Sequence, residues 1–182
     1  MRAFLSIFML LLSACVTTGT PLREARLSDD AVLLNVPVVL QDSEYDCGVA
    51  VLSMLLAYYG VPSDADEADE LRARADSGGG LLGADLQAYM QAENFETSLF
   101  KGEFGDSING LHYHLDRGRP LVVAIRSGSD SNHFVLVTGY DPINDWILLQ
   151  DPLRGALVFD RSQFEHAWDD ALRFTLLATP TE

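Results

Sequence analysis

Apolar residues recur along this chain with two different spacings, and the spacing changes near its middle. Between Cys47 and Tyr59 apolar residues return every three or four positions and cover nearly all faces, until Gly60 ends the run. This pattern predicts a buried central helix. Shorter patterns of the same kind predict helices at about 64–75, 83–93 and 106–117.

The second half of the chain is rich in β-branched and aromatic residues, which favour strands. Strands are predicted at 33–40, 95–100, 121–126, 133–140, 145–150, 156–160 and 173–178, with a short helix at 162–168. Pro37 places the first strand at a sheet edge, because proline lacks an amide donor. Helices followed by strands predict an α+β domain whose N-terminal helices pack on an antiparallel sheet.

The first fourteen residues have the composition of a secretory signal. A basic residue precedes an apolar run from Ala3 to Leu12, which is shorter than the roughly 20 residues needed to span a bilayer. The sequence Leu12-Ser13-Ala14-Cys15 resembles the bacterial lipobox, so we expect residues 1–14 to be removed and Cys15 to be lipidated. The alternatives are a plain signal peptide with an incidental cysteine, or a buried helix.

The resemblance to lipoproteins implies a place in the bacterial cell envelope. Val16, directly after the cysteine, is not acidic, and this favours a lipid anchor in the outer membrane on the periplasmic side. Residues 15–32 are mostly polar and predict a lipidated N-terminus followed by a tether. Residues 33–182 then form one domain of ordinary size.

The charge of the chain narrows the classes of partner. The formal net charge is −15 at pH 7, which argues against nucleic acid and against electrostatic docking on anionic membranes. The acidic residues within 64–76 fit a solvated helix face. His112 and His114 point to different faces of a helix and predict no metal pair. Since no zinc or nucleotide-binding motif is present either, no cofactor is expected.

A catalytic pattern is formed by Cys47 with one earlier residue, Gln41, and two later ones, His133 and Asp151. With Cys15 taken by lipid, Cys47 is a free thiol at a helix start, where the thiolate is favoured. His133 begins a strand and can act as base and proton donor, while Asp151 ends a strand and can orient the imidazole. Gln41 can direct an amide N–H at a developing oxyanion. Each residue alone also has an ordinary structural explanation.

Three segments, in this order, resemble the bacteriocin-leader peptidase domain, a papain-like cysteine peptidase that cuts leaders after a double glycine. They are Gln41…Asp46-Cys47-Gly48-Val49-Ala50, Asn132-His133-Phe134-Val135-Leu136-Val137-Thr138-Gly139-Tyr140 and Gln150-Asp151-Pro152…Gly155. The resemblance covers about residues 34–178 and implies the papain-like fold. It implies Cys47 as nucleophile, His133 as general base and acid, Asp151 as histidine orienter and Gln41 in the oxyanion hole.

The resulting hypothesis is a cysteine endopeptidase on the periplasmic side of the envelope. Its substrate would be a peptide or an exported protein, and its partner a secretion or export system. Two alternatives stay open: a hydrolase of cell-wall amides, and a module that binds peptides without cutting them. Asp46, next to the nucleophile, either caps the helix or shapes the cleft.

Overall fold

The computed structural model of the protein describes residues 19–62, 64–126 and 132–181. The helices are α1 (Cys47–Tyr59), α2 (Ala65–Gly78), α3 (Gly83–Ala92), α4 (Leu111–Leu115) and α5 (Arg161–Asp170), with a 3₁₀ turn at Leu22–Glu24. The strands are β1 (Thr20–Pro21), β2 (Val32–Leu33), β3 (Phe95–Lys101), β4 (Leu121–Ile125), β5 (His133–Asp141), β6 (Trp146–Asp151), β7 (Gly155–Asp160) and β8 (Phe174–Pro180).

The strands form one sheet in which every pairing is antiparallel. Their order is β1-β7-β6-β5-β4-β8-β3, and β2 pairs with the far end of β5, beyond the residues of β5 that pair with β4. This architecture confirms the α+β prediction. Short turns join β5 to β6 and β6 to β7, so that these three strands lie side by side.

Two hydrophobic cores lie on opposite faces of the sheet, because side chains alternate along each strand. In β4, Val122 and Ala124 pack with α1, α2 and α3, whereas Leu121, Val123 and Ile125 pack with α4 and α5. Helices α1, α2 and α3 therefore cover one face of the sheet, and α4 and α5 cover the other. Helix α1 is buried along most of its length, as its apolar sequence predicts.

The strand predicted at 33–40 is wrong after Leu33. The amide of Leu34 still donates to the carbonyl of Thr138 at 2.8 Å, but the amide of Val36 then donates to Leu34 within a local turn at 2.9 Å. Pro37 follows, and its missing amide donor prevents a return to the sheet. The segment continues as an irregular crossing toward Cys47.

The helix predicted at 106–117 is also longer than the observed one, since only Leu111–Leu115 is helical. Gly105 lies in the left-handed region with φ of 93°, and Glu103 forms an isolated parallel bridge with Gly110. The polar residues in between close a loop through their backbone groups, with the amide of Gly110 donating to Ser107 at 2.8 Å. These contacts satisfy the backbone without a helix.

The segment predicted as a tether contacts the sheet well before residue 33. Thr20 and Pro21 pair with Val158 and Leu157 of β7. Ser28 donates through both its amide and its hydroxyl to the buried carboxylate of Asp141, each at 2.7 Å. The C-terminal part of the predicted tether is therefore bound to the domain. No helix in the described residues is long and apolar enough to cross a membrane.

Candidate active site

Cys47 is the first residue of α1 and is partly exposed at one wall of a cleft. The helix is held over the sheet by buried apolar residues, among them Val51, Leu52 and Leu55. Because the first amide groups of a helix lack internal acceptors, the position favours a negative charge on the sulfur. Packing of α1 therefore places a free thiol in an environment suited to its thiolate.

His133 is the first residue of β5 and lies beside Cys47. Its Nε2 is 3.0 Å from Oδ1 of Asp151, which leaves Nδ1 as the ring nitrogen available to the cysteine sulfur. The side chain is 21 % exposed, so the imidazole is shielded but still open on one side. The structure therefore brings Cys47, His133 and Asp151 together in one line, with a hydrogen bond between the histidine and the aspartate.

Asp151 is the last residue of β6, and its side chain is completely buried. Oδ1 accepts from His133 and from the amide of Leu153 at 2.8 Å, and Oδ2 accepts from the guanidinium of Arg154. A buried carboxylate with these partners is stabilised in its charged form. The start of β5 and the end of β6 lie at the same end of the sheet, which is why the two side chains meet.

Charges in the site shift the pKa of both members of this pair. Burial would by itself lower the pKa of His133, but hydrogen bonds to Asp151 and Cys47 and the charges of both raise it to about 9. Burial would raise the pKa of Asp151, but the hydrogen bond and charge of His133, the Leu153 amide and Arg154 lower it to about 2. At neutral pH the pair is thus imidazolium and carboxylate.

A cleft of about 650 Å³ opens beside the thiol. Leu81, Ala124, Phe134 and Phe174 form an apolar floor, and the two phenylalanine rings meet edge to face at 5.6 Å. The remaining lining residues are Cys47, Gly78, Gly79, Gly80, Leu82, Gly83, Leu99, Phe100, Lys101, Asn132, Ala171 and Leu172. The dimensions and the apolar lining suit several residues of an extended, apolar peptide.

Gln41, the predicted oxyanion donor, has its amide turned toward its own loop. Nε2 donates to the carbonyl of Ser43 at 2.5 Å and of Glu44 at 3.2 Å, and the side-chain oxygen is buried without a hydrogen-bond partner in the described part of the chain. Its backbone amide donates to Pro152, next to Asp151, at 2.9 Å. Its oxyanion role stays a prediction.

Asp46 occupies the residue position before α1, but its side chain makes no capping hydrogen bond. It is buried, with Oδ1 unpaired among the described residues, and it lines a small cavity together with Gln41. The two histidines of α4 lie elsewhere. His112 stacks on Tyr140 at 4.0 Å, and His114 bonds to the carbonyl of Ile108 at 2.9 Å.

Arg154 is a site residue that the sequence analysis missed. Its Nε and an Nη contact the same oxygen of Asp151, Oδ2, at 2.9 and 2.7 Å. The available signal was the spacing of an acid and an arginine three residues apart across a turn that ends in Gly155. That spacing is common in surface turns, and only the folded hairpin shows that the carboxylate is buried.

The sequence matches the Peptidase C39 family over residues 35–182. The chain belongs to this family. Membership makes it a relative of cysteine peptidases, and the three-residue line described above lies within the matched region. The lactococcin-G-processing and transport ATP-binding protein LagD of Lactococcus lactis subsp. lactis is 28 % identical over 137 residues, covering 75 % of this chain. The chain spans only 18 % of the length of LagD.

Three solved structures share the fold of this C39 family member. The peptidase domain of Streptococcus ComA, a bifunctional ABC transporter of a quorum-sensing pathway, has 20 % identity and a TM-score of 0.62, with 82 % of this chain and 99 % of that one covered. A double glycine motif protease from an AMS/PCAT transporter, bound to its leader peptide, has 18 % identity and a TM-score of 0.61 over 82 % and 94 %. A C39-like peptidase of Bacillus anthracis has 18 % identity and a TM-score of 0.64 over 85 % and 100 %.

Proposed function

We propose that this protein is a cysteine endopeptidase that cuts an apolar peptide segment after small residues, as a processing enzyme of the cell envelope. The observation that carries the proposal is the line from Cys47 through His133 to the buried Asp151, set at the wall of an apolar cleft. These are the groups that nucleophilic catalysis by a thiolate requires.

The chemistry follows from the protonation states in the site. The Cys47 thiolate adds to the carbonyl carbon of the scissile bond, and the His133 imidazolium gives its proton to the leaving amine as the C–N bond breaks. The product is a thioester on Cys47. His133, now neutral, takes a proton from water, whose oxygen displaces the thiolate and releases the acid product. Asp151 stays ionised throughout and holds the imidazole in place.

Support for a small-residue cleavage site comes from relatives and from the shape of the site. LagD is named for processing lactococcin G, and one solved relative is a double glycine motif protease with its leader peptide. In this chain the loop Gly78–Gly80 borders the cleft near Cys47 with backbone alone. Apolar side chains of a leader would contact Leu81, Phe134 and Phe174.

We expect the full-length protein, in detergent, to cleave a synthetic peptide in which an apolar segment ends in Gly-Gly. Mass spectrometry should place the cut after the second glycine. Replacing Gly-Gly by Val-Val should slow cleavage at least about tenfold, because the proposed preference for small residues beside the thiol disfavours branched side chains. Cys47→Ala should abolish the reaction.

The cleft can be tested with a matched pair of exposed apolar residues. Leu82 is 72 % exposed and lines the cleft, whereas Ile143 is 68 % exposed in the β5–β6 turn. Leu82→Asp should raise KM severalfold and Ile143→Asp should not. If the wild type binds the peptide tightly but does not cleave it, the protein is a non-catalytic binding module. If it releases fragments from cell-wall murein, it is an amide hydrolase.

We further propose that the protein is held to the envelope through a lipid on Cys15. Thr20 already pairs with β7, so the five residue steps from Cys15 reach no more than about 18 Å. Strand β1 enters next to Phe159, where a Cβ on Gly19 would lie 2.3 Å from the ring. Phe159 is four residues after Gly155, about 13 Å along β7 from the catalytic end of the sheet. An anchor that enters at this end of β7 favours an orientation in which the catalytic end faces away from the membrane.

Depth-dependent fluorescence quenching tests this orientation in vesicles. In the Cys47→Ala protein, a fluorophore on Ile143→Cys, in the β5–β6 turn at the far end of the sheet, should be quenched by nitroxide lipids more strongly than one on Leu153→Cys, in the β6–β7 turn at the catalytic end. The two side chains are similarly exposed, 68 % and 61 %. Equal quenching, or the reverse order, would refute the orientation. Failure of the full-length protein to incorporate labelled palmitate would refute the anchor itself.

A further inference from the structure

Arg154 contacts the oxygen of Asp151 that accepts no other hydrogen bond from the described residues. Asp151 Oδ1 already accepts from His133 and from the Leu153 amide, at 3.0 and 2.8 Å. Oδ2 is contacted by Nε and Nη of Arg154, at 2.9 and 2.7 Å. Since the carboxylate is completely buried, Oδ2 would otherwise lie in the interior with no recorded donor among the described residues.

The turn between β6 and β7 fixes this arrangement. The amide of Arg154 donates to the carbonyl of Asp151 at 3.2 Å, and Asp151 pairs with Gly155 across the hairpin. Gly155 has φ of 80°, a conformation that favours glycine. The arginine Cζ lies 5.7 Å from the centre of the Phe159 ring, so the side chain is supported from the strand side. The turn thus places the guanidinium of Arg154 against the carboxylate of Asp151.

We propose that Arg154 is a positioning residue for catalysis, which keeps Asp151 ionised and correctly rotated when His133 has given up its proton. This inference deepens the proposed function and rests on it. In the resting site the His133 imidazolium lies between the cysteine sulfur and the Asp151 carboxylate, and the Arg154 guanidinium lies beyond the carboxylate. After proton transfer to the leaving amine, the thioester and the imidazole are neutral. A buried carboxylate would then have no opposite charge, and Arg154 supplies one.

The arginine has an opposite effect on the histidine. Its positive charge lies on the far side of Asp151 and opposes a second positive charge on His133. It therefore makes the imidazolium a better proton donor toward the leaving amine. A residue that only stabilised the fold would change neither this balance nor the ease of proton transfer.

Carboxymethylation of Cys47 by iodoacetate, followed from pH 5 to 10 by mass spectrometry, measures this without any substrate. The anionic reagent is attracted by the imidazolium, so the rate should fall when His133 loses its proton. In Arg154→Gln we expect this alkaline limb to move upward by about one pH unit, because one positive charge is removed. Peptide cleavage should show kcat lowered about tenfold at nearly constant KM.

Two further variants separate position from charge and from stability. Arg154→Lys keeps the charge but loses the two-nitrogen contact, so its alkaline limb should stay within a few tenths of a pH unit of the wild type while kcat recovers only in part. Arg161 is the matched control: it is 42 % exposed, pairs with Asp145 at 3.7 Å, and begins α5. Arg161→Gln should leave both the limb and kcat unchanged.

The proposal is overturned if the alkaline limb of Arg154→Gln stays in place or moves to lower pH, whatever the melting temperature does. If Arg154→Gln does not fold, Arg154→Lys decides: kcat equal to that of the wild type overturns the proposal. Alkylation needs no peptide. If the alkaline limb moves upward in Arg154→Gln as expected but the wild type cleaves no peptide, the proposed substrate is wrong instead.

Discussion

His133→Gln is expected to lower kcat/KM for peptide cleavage by about 10⁴-fold, the upper end of the range for general acid–base catalysis. Glutamine retains a polar side chain but cannot carry a proton between the thiol, the leaving amine and water. The same change removes the imidazolium that stabilises the thiolate of Cys47. Both steps of the reaction therefore suffer from one substitution.

The pH dependence of cleavage activity tests the role of His133 more directly. Because the pKa of His133 is raised to about 9, the wild type should keep its activity through neutral pH and lose it as the pH rises through about 9. The His133→Gln protein should show no such loss of activity near pH 9. His166→Gln is the matched control, since His166 is 78 % exposed and lies on α5. An alkaline limb that is the same in His133→Gln and in the wild type would contradict the assignment.

Asp151→Asn is expected to lower kcat/KM by about 10²-fold, the lower end of the same range. Asparagine keeps the shape of the side chain and an oxygen for the histidine N–H, but it removes the negative charge. The pKa of His133 should then fall from about 9 toward its usual 6.5, and the alkaline limb should follow. Fewer molecules would hold the imidazolium at pH 7.5.

The same variant should also reveal how the pair contributes to stability. Asp151 has its pKa lowered from 3.8 to about 2, so its contribution is present above about pH 4 and is lost as the pH falls through 2. His133 has its pKa raised from 6.5, so its contribution is complete below about 6.5 and is lost as the pH rises through 9. The difference in melting temperature between Asp151→Asn and the wild type should be largest between about pH 4 and pH 6.5, where both contributions are complete.

Asp145→Asn provides the control for charge removal. Asp145 precedes β6 and pairs with Arg161 at 3.7 Å, but its side chain is 71 % exposed. Its removal should change neither the alkaline limb nor the pH dependence of stability, because solvent screens an exposed pair. If Asp151→Asn behaved like Asp145→Asn in both measurements, the carboxylate would have no part in the catalytic line.

Local patterns alone were sufficient for the elements whose faces are most distinct. The unbroken apolar spacing of α1 and the Gly60 that ends it predict the observed helix residue for residue. The β-branched runs of the second half likewise predict β4 through β7 closely. Burial of a face is the main determinant in such segments, and it is visible in the spacing of apolar residues.

Specific hydrogen bonds, some local and some between distant residues, decided the remainder. The strand expected at 33–40 ends at Leu33 because Val36 bonds within its own turn, and the predicted tether is bound by Asp141, more than a hundred residues away. The inward turn of the Gln41 amide depends on the carbonyls of its folded loop. No periodicity records such partners.

The candidate site divides in the same way. The order of Cys47, His133 and Asp151 along the chain, their positions at the ends of elements and the family resemblance of the surrounding motifs predicted which chemistry to expect. The complete burial of Asp151, the choice of ring nitrogen on His133 and the contact of Arg154 with Oδ2 were decided only by the tertiary structure. The physical reason is that desolvation and hydrogen bonding act between groups brought together by folding, whereas a linear sequence displays only the groups themselves.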